Sequence, residues 1–102
     1  MIDVMVAYPN SDDLAFDDRY YIEKHATLVN NLLSEHGLRY LRVHRRLDRQ
    51  SPYHLVAHLG FDSAQSFESA FATVGEQLLA DIANFTNVEP VLQVNEVIDT
   101  PT

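Results

Sequence analysis

Hydrophobic and polar positions alternate over residues 2–8. Ile2, Val4, Val6 and Tyr8 fall on one side and Asp3, Met5 and Ala7 on the other. A period of two is that of a strand. From residue 17 the period lengthens. At 100° per residue, Tyr21, His25, Leu28, Val29, Leu32 and His36 share one side of a helix, and Arg19, Glu23, Thr27, Asn30 and Ser34 the other. The ends carry matching signals. Asp17 is suited to cap the helix, and Asp18 suits the positive end of its dipole. Phe16 and Tyr21 have the spacing of a hydrophobic staple, and Gly37 stands where a left-handed residue ends a helix. A helix over 17–36 follows, about 30 Å long.

Residues 38–47 and 53–61 read as strands joined by the loop at 48–52. The second places Tyr53, Leu55, Ala57, Leu59 and Phe61 on one face and His54, Val56 and His58 on the other. A second helix starts near Asp62 or Ser63, where Asp62 and Gln65 have capping-box spacing. Phe67, Phe71, Val74 and Leu78 form its apolar stripe, and Gly75 weakens it near the middle. Residues 90–98 form a last strand, with Pro90 tolerated at its start. The order βαββαβ predicts one α+β domain over residues 1–102. Its form is a ferredoxin-like sandwich, a four-stranded antiparallel sheet with both helices on one face.

The other face of such a sheet meets water and is expected to be polar. Here Met5, Ala7, Val56, Val91 and Val97 oppose the core-facing residues of their strands. A chain of this length has no spare element to cover them. The pattern predicts a homodimer built through the open sheet face.

Composition narrows the function. At 102 residues and 11.6 kDa the chain supports one core and little internal room for a large ligand. Fifteen acidic residues against seven basic ones give a net charge of −8. That field opposes nucleic acid and anionic membrane surfaces as partners. Arg39, Arg42, Arg45, Arg46 and Arg49 gather within eleven residues on the second strand and the loop after it, and that strand is an edge in this topology, where charge discourages aggregation. The absence of Cys excludes disulfides, thiolate nucleophiles and cysteine metal sites. With no signal-like N-terminus and no long apolar run, a cytoplasmic protein is expected. Nucleophile-elbow, phosphate-loop and dinucleotide fingerprints are missing.

His25 is the sharpest chemical signal. An imidazole in the middle of an apolar helix face needs partners for its nitrogens, and it suits proton transfer near neutral pH. A packed histidine satisfied by a tyrosine hydroxyl or a backbone carbonyl is the other reading of the same position. Tyr21 lies one turn before it, and Tyr8 ends the first strand. Both are candidate phenols for the same cleft or simply core residues. His54 and His58 stand about 13 Å apart on one strand face and cannot share a metal. His58 is read as lining either the cleft or a dimer interface. Phe85, in the turn from Asp81 to Asn87, is a candidate apolar wall. No metal site and no cofactor are expected.

These residues carry a resemblance. Ala7-Tyr8-Pro9, Phe16-Asp17, Tyr20-Tyr21, Lys24-His25, Tyr53, His58-Leu59, Phe61-Asp62-Ser63, Phe67, Ala70-Phe71, Asp81 through Asn87, Pro90 and Gln93 occur in an order that resembles the EthD-like family. That family, named for ethyl tert-butyl ether degradation, lies within the dimeric α+β barrel superfamily. The resemblance implies sheet-to-sheet dimers and a cleft between helices and sheet, with the Lys24-His25 position part of the motif. Relatives in the superfamily use such clefts for cyclisation, isomerisation, dehydration, decarboxylation and cofactor-free oxygenation. The expectation is a small cofactor-free enzyme. It would use His25 to move a proton on an apolar, cyclic or aromatic, oxygenated molecule in a degradation or biosynthetic pathway. Tyr8, Tyr21, His58 and Phe85 would contact that molecule. The alternative is a non-catalytic binding or accessory protein that uses the same cleft.

Overall fold

The computed structural model describes residues 1–101. Its strands are β1 (Ile2–Pro9), β2 (Tyr40–Arg45), β3 (Tyr53–Phe61) and β4 (Val91–Glu96). Between β1 and β2 lie α1 (Asp18–Tyr20), a π-helical turn (Tyr21–His25) and α2 (Ala26–Ser34). Between β3 and β4 lie α3 (Ala64–Asp81) and a 3-10 turn (Ile82–Asn84). The strands pair antiparallel in the order β2-β3-β1-β4, the expected ferredoxin-like sandwich. The molecule is a slab about 19 Å thick, one helical layer on one sheet layer.

Register sets the core. Val4 stands opposite Leu59 and Val94, and Val6 opposite Ala57 and Leu92. On Val4, Val6, Ala57 and Leu59 pack Val29 and Leu33 of α2 and Ala70 and Leu78 of α3. A second, aromatic cluster of Tyr8, Tyr21, Leu55 and Phe85 lies beside it. Phe16 pairs with Thr86 as a single bridge, which ties the segment before α1 to the turn after α3.

The helix signals act largely as expected. Asp17 accepts the Tyr20 N–H at 3.0 Å. Leu33 O accepts from His36 and Leu38, with Gly37 between them at φ 99°. This is the left-handed stop that glycine adopts at little cost. Two details differ. α3 is capped by Ser63, whose hydroxyl accepts the Ser66 N–H at 3.1 Å, while Asp62 is drawn to Arg39 Nε at 2.9 Å. Gly75 does not break α3. It makes room for the Phe71 ring, which a Cβ there would approach to 2.7 Å.

The open sheet face is polar at one end and apolar at the other. Asp3 accepts from Tyr40 and pairs with His58 Nδ1 at 2.9 Å. Ala7, Val56 and Val91 stand in register at the far end. β4 is also uncovered on its helix side, where Leu92 and Val94 remain 43% and 49% exposed.

Candidate active site

The site is built where the two helical segments meet over the sheet. Tyr21 is packed against Phe16, Tyr8 and Phe85, with ring centroids 5.3–5.8 Å apart. His25 is held from another direction, by Asp81 at the end of α3. Between these anchors the chain takes an extra residue into the turn, and Ala26 N–H reaches back to Tyr21 O. Such π-turns cost hydrogen-bond quality and recur at functional sites. Both anchored side chains point inward and are almost fully buried.

His25 Nδ1 lies 2.9 Å from Asp81 Oδ2. The other carboxylate oxygen accepts from Tyr20 Oη at 2.7 Å and from Asn84 Nδ2 at 2.9 Å. Burial pushes the Asp81 carboxyl up, but the hydrogen bonds from Asn84, Tyr20 and His25 outweigh it and hold it below the usual range. A carboxylate in the last turn of a helix opposes the dipole, and these donors offset that cost. An ionised Asp81 can only accept, so the network assigns the proton of neutral His25 to Nδ1. Nε2 is then a free base. Among the described residues it has no protein partner, and no sealed side-chain nitrogen or oxygen is left unpaired. Nε2 therefore meets open space.

That space is an apolar cavity of about 50 Å³, lined by His25, Tyr21, Val4, Val6, Leu59 and Leu78 among others. It shares Leu79, Ile82, Pro90 and Leu92 with an open groove of about 590 Å³ between the end of α3 with its 3-10 turn and the segment that leads into β4. The cavity and the groove therefore adjoin. Phe85 packs against His25 at a tilt, with centroids 4.7 Å apart. Tyr8 sits behind Tyr21 and Phe85 in the aromatic cluster.

The structure brings His25, Tyr21, Tyr8 and Phe85 together and leaves His58 apart. His58 projects from the opposite sheet face beside Asp3 and His44. His54 and His58 do not share a face as the alternation implied. The register between β1 and β3 shifts at Tyr8/Pro9 and leaves His54 unpaired. This bulge turns His54 to the helix side, where Nε2 meets Asp18 at 2.7 Å and Nδ1 accepts from Arg46 at 3.1 Å. Among the described residues no three acidic or histidine side chains converge as a metal site requires. The edge arginines are partly paired with acids, Arg39 with Asp62 and Arg45 with Asp18.

Asp81, Tyr20 and Asn84 were not singled out as site residues from the sequence. Asp81 is 56 positions from His25. A buried imidazole demands a partner, but that demand alone suggested a tyrosine hydroxyl or a backbone carbonyl and does not name this carboxylate.

No helix among the described residues is long and apolar enough to cross a membrane. The EthD domain model matches residues 11–89. Among curated proteins none matches the chain. The crystal structure of an EthD-like protein from Ralstonia eutropha is 31% identical, covers 99% of this chain and 95% of its own, and superposes with a TM-score of 0.85. An ethyl tert-butyl ether degradation family protein from Bacillus halodurans follows at 19% identity and TM-score 0.69, covering 96% and 99%. A dimeric protein of unknown function and ferredoxin-like fold from Bacteroides fragilis reaches TM-score 0.57 at 11% identity, covering 94% and 95%. With the family model spanning most of its length, the chain belongs to the EthD family.

Proposed function

We propose that this chain is a cofactor-free enzyme in which the His25–Asp81 pair moves a proton on an apolar, cyclic or aromatic, oxygenated small molecule. One observation carries the reading. A buried imidazole with a fixed Nδ1 partner presents a bare Nε2 to a cavity that is otherwise almost wholly apolar. A carboxylate behind an imidazole fixes its tautomer and stabilises the imidazolium formed on proton uptake. Apolar walls exclude water, which strengthens each electrostatic contact inside. Tyr21 contacts the ligand directly, and Phe85 and Tyr8 hold the imidazole and Tyr21 in place. The reacting end of the ligand enters the small apolar cavity, and its body lies in the adjoining groove beside Pro90 and Leu92. The functional unit is a homodimer through the open sheet face, which assigns His58 to the interface side. This reading draws on the apolar end of that face at Ala7, Val56 and Val91. A degradation or biosynthetic pathway supplies the substrate.

Calorimetric titration with 2-naphthol, an apolar aromatic carrying one oxygen, tests the proposal. Saturable binding is expected, about tenfold weaker in Leu92→Trp, where an exposed side chain grows across the mouth. Affinity is expected to fall about tenfold in His25→Leu as well, because the imidazole that meets the hydroxyl of the ligand is gone. Equal affinity in Leu92→Trp would move the ligand out of the cavity. Equal affinity in His25→Leu would remove His25 from the site.

A further inference from the structure

Arg46 stands apart from the other arginines. It alone among them is half-buried, and the rest are exposed. Arg19, Arg39 and Arg45 each meet a carboxylate, on Glu23, Asp62 and Asp18. Among the described residues Arg46 meets none. Its Nε donates to His54 Nδ1 at 3.1 Å and its Nη1 to Arg49 O at 2.7 Å. A guanidinium can only donate, so His54 Nδ1 accepts and its proton sits on Nε2, 2.7 Å from Asp18 Oδ1. Both acceptors of Arg46 are therefore neutral, and the nearest carboxylate reaches it only through an uncharged imidazole. Taking a charge out of water without a counter-ion is costly. The fold leaves that cost uncompensated, and Arg46 Nη2 has no protein partner among the described residues.

The guanidinium is also held in place. Arg46 N–H donates to His54 O, and Asn10 Nδ2 donates to the carbonyls of Arg49 and Ser51, which ties the loop after β2 to the end of β1. His54 is fixed in turn by Asp18 and by the Phe16 ring, 4.7 Å between centroids. Arg46 lines an open pocket of about 200 Å³ together with Arg45, Leu47, Asp48, Arg49 and His54. Arg49 is exposed there and pairs with no carboxylate among the described residues. Asp48 spends one carboxylate oxygen on the Gln50 N–H at 2.8 Å and bridges to no arginine. Leu47 is fully exposed beside them. None of these residues lines the cavity at His25 or the groove that adjoins it. In a chain of net charge −8, two guanidinium groups without an acidic partner thus share one pocket.

We propose that this pocket is a second binding site, separate from His25, for the carboxylate of a small apolar acid. The carboxylate supplies the counter-ion that Arg46 lacks. Its two oxygens accept from the Nη1 and Nη2 end of the planar fork, a match in shape as well as charge. Arg49 adds a second cation from the rim, and Leu47 gives the apolar body of the acid a surface to rest on. A single negative charge suits the site. Asp48 at the rim and the net charge of the chain both oppose a doubly charged anion such as phosphate.

Nitrogen NMR of the arginine Nε–H and histidine ring groups, with sodium benzoate added to the full chain at constant ionic strength, is the test. The Arg46 Nε–H signal is expected to move saturably with a Kd of about 1 mM. Inorganic phosphate is expected to bind about tenfold more weakly. Arg46→Lys keeps the charge but loses the fork, and read on His54 it should weaken benzoate about tenfold. Arg49→Ala removes an exposed side chain that makes no protein hydrogen bond, so it stays folded even where Arg46→Lys does not. It is expected to weaken benzoate about threefold. His25→Leu should leave the Arg46 response intact. A shift that never saturates, or one that sodium chloride reproduces, would overturn the proposal. So would full affinity in both arginine variants, or a response that vanishes in His25→Leu. Phosphate binding as tightly as benzoate would overturn the assignment to a carboxylate.

Discussion

Replacing Asp81 by Asn removes the charge behind His25 and changes little else in size. Asp81 accepts three hydrogen bonds, from Tyr20, Asn84 and His25, all at 2.7–2.9 Å. An amide keeps one oxygen. Placed toward Tyr20 and Asn84, that oxygen retains two bonds but turns them from charge-assisted to neutral. The NH₂ then faces His25, whose Nδ1 must give up its proton and accept. Hydrogen bonds to a charged group contribute roughly 1.5–3 kcal/mol against about 1 kcal/mol for neutral ones. Allowing for the partial exposure of Asp81, the loss is about 2 kcal/mol, or roughly 10 °C in melting temperature for a domain of this size. The sign with pH follows from the lowered carboxyl of Asp81. Its contribution is fully present above the unfolded-state value and is lost as pH falls through the lower folded-state value. Thermal melts of wild type and Asp81→Asn should therefore differ most at neutral pH and converge in strong acid. Equal melting temperatures at neutral pH, or a gap that does not shrink in acid, would refute the assignment of an ionised, threefold hydrogen-bonded Asp81.

Gly60→Ala should destabilise the fold by about 1–3 kcal/mol, because its Cβ would overlap the Tyr40 ring and displace the Tyr40–Asp3 bond; a neutral result in urea melts would contradict that packing. Sedimentation at micromolar concentration should give about twice 11.6 kDa, and a clean monomer would remove the reason for the apolar end of the open face. A mobility-shift titration at physiological salt should show no stable nucleic-acid complex, given the net charge of −8. A sequence-specific complex would overturn the reading of Arg39 to Arg49 as a charged edge.

The elements were legible in the sequence because their causes are local. Alternation at Ile2 to Tyr8, the cap at Asp17 and the stop at Gly37 each depend on neighbours within one turn or one strand. What was not legible depends on partners far along the chain. The π-turn exists because Tyr21 is fixed by Phe16, Tyr8 and Phe85 while His25 is fixed by Asp81, and no local propensity distinguishes it from an α-helix. The bulge at His54 depends on how β3 registers against β1, so a strict period of two assigned it to the wrong face. The candidate base was visible as an odd residue on an apolar stripe. Its carboxylate partner was not, because pairing across two helices is a tertiary fact.

The central claim is that His25 carries its proton on Nδ1 toward Asp81 and offers a bare Nε2 to a ligand-accessible cavity. Long-range proton–nitrogen NMR of the imidazoles reads this directly. At neutral pH, neutral His25 should show a protonated Nδ1 and an unprotonated Nε2, whereas His54, which accepts from Arg46 at Nδ1, should show the opposite tautomer. On addition of 2-naphthol the His25 Nε2 resonance should move saturably while those of His54 and His58 stay in place. A proton found on Nε2 of His25 in the free protein, or a Nε2 resonance that ignores the ligand, would contradict the account.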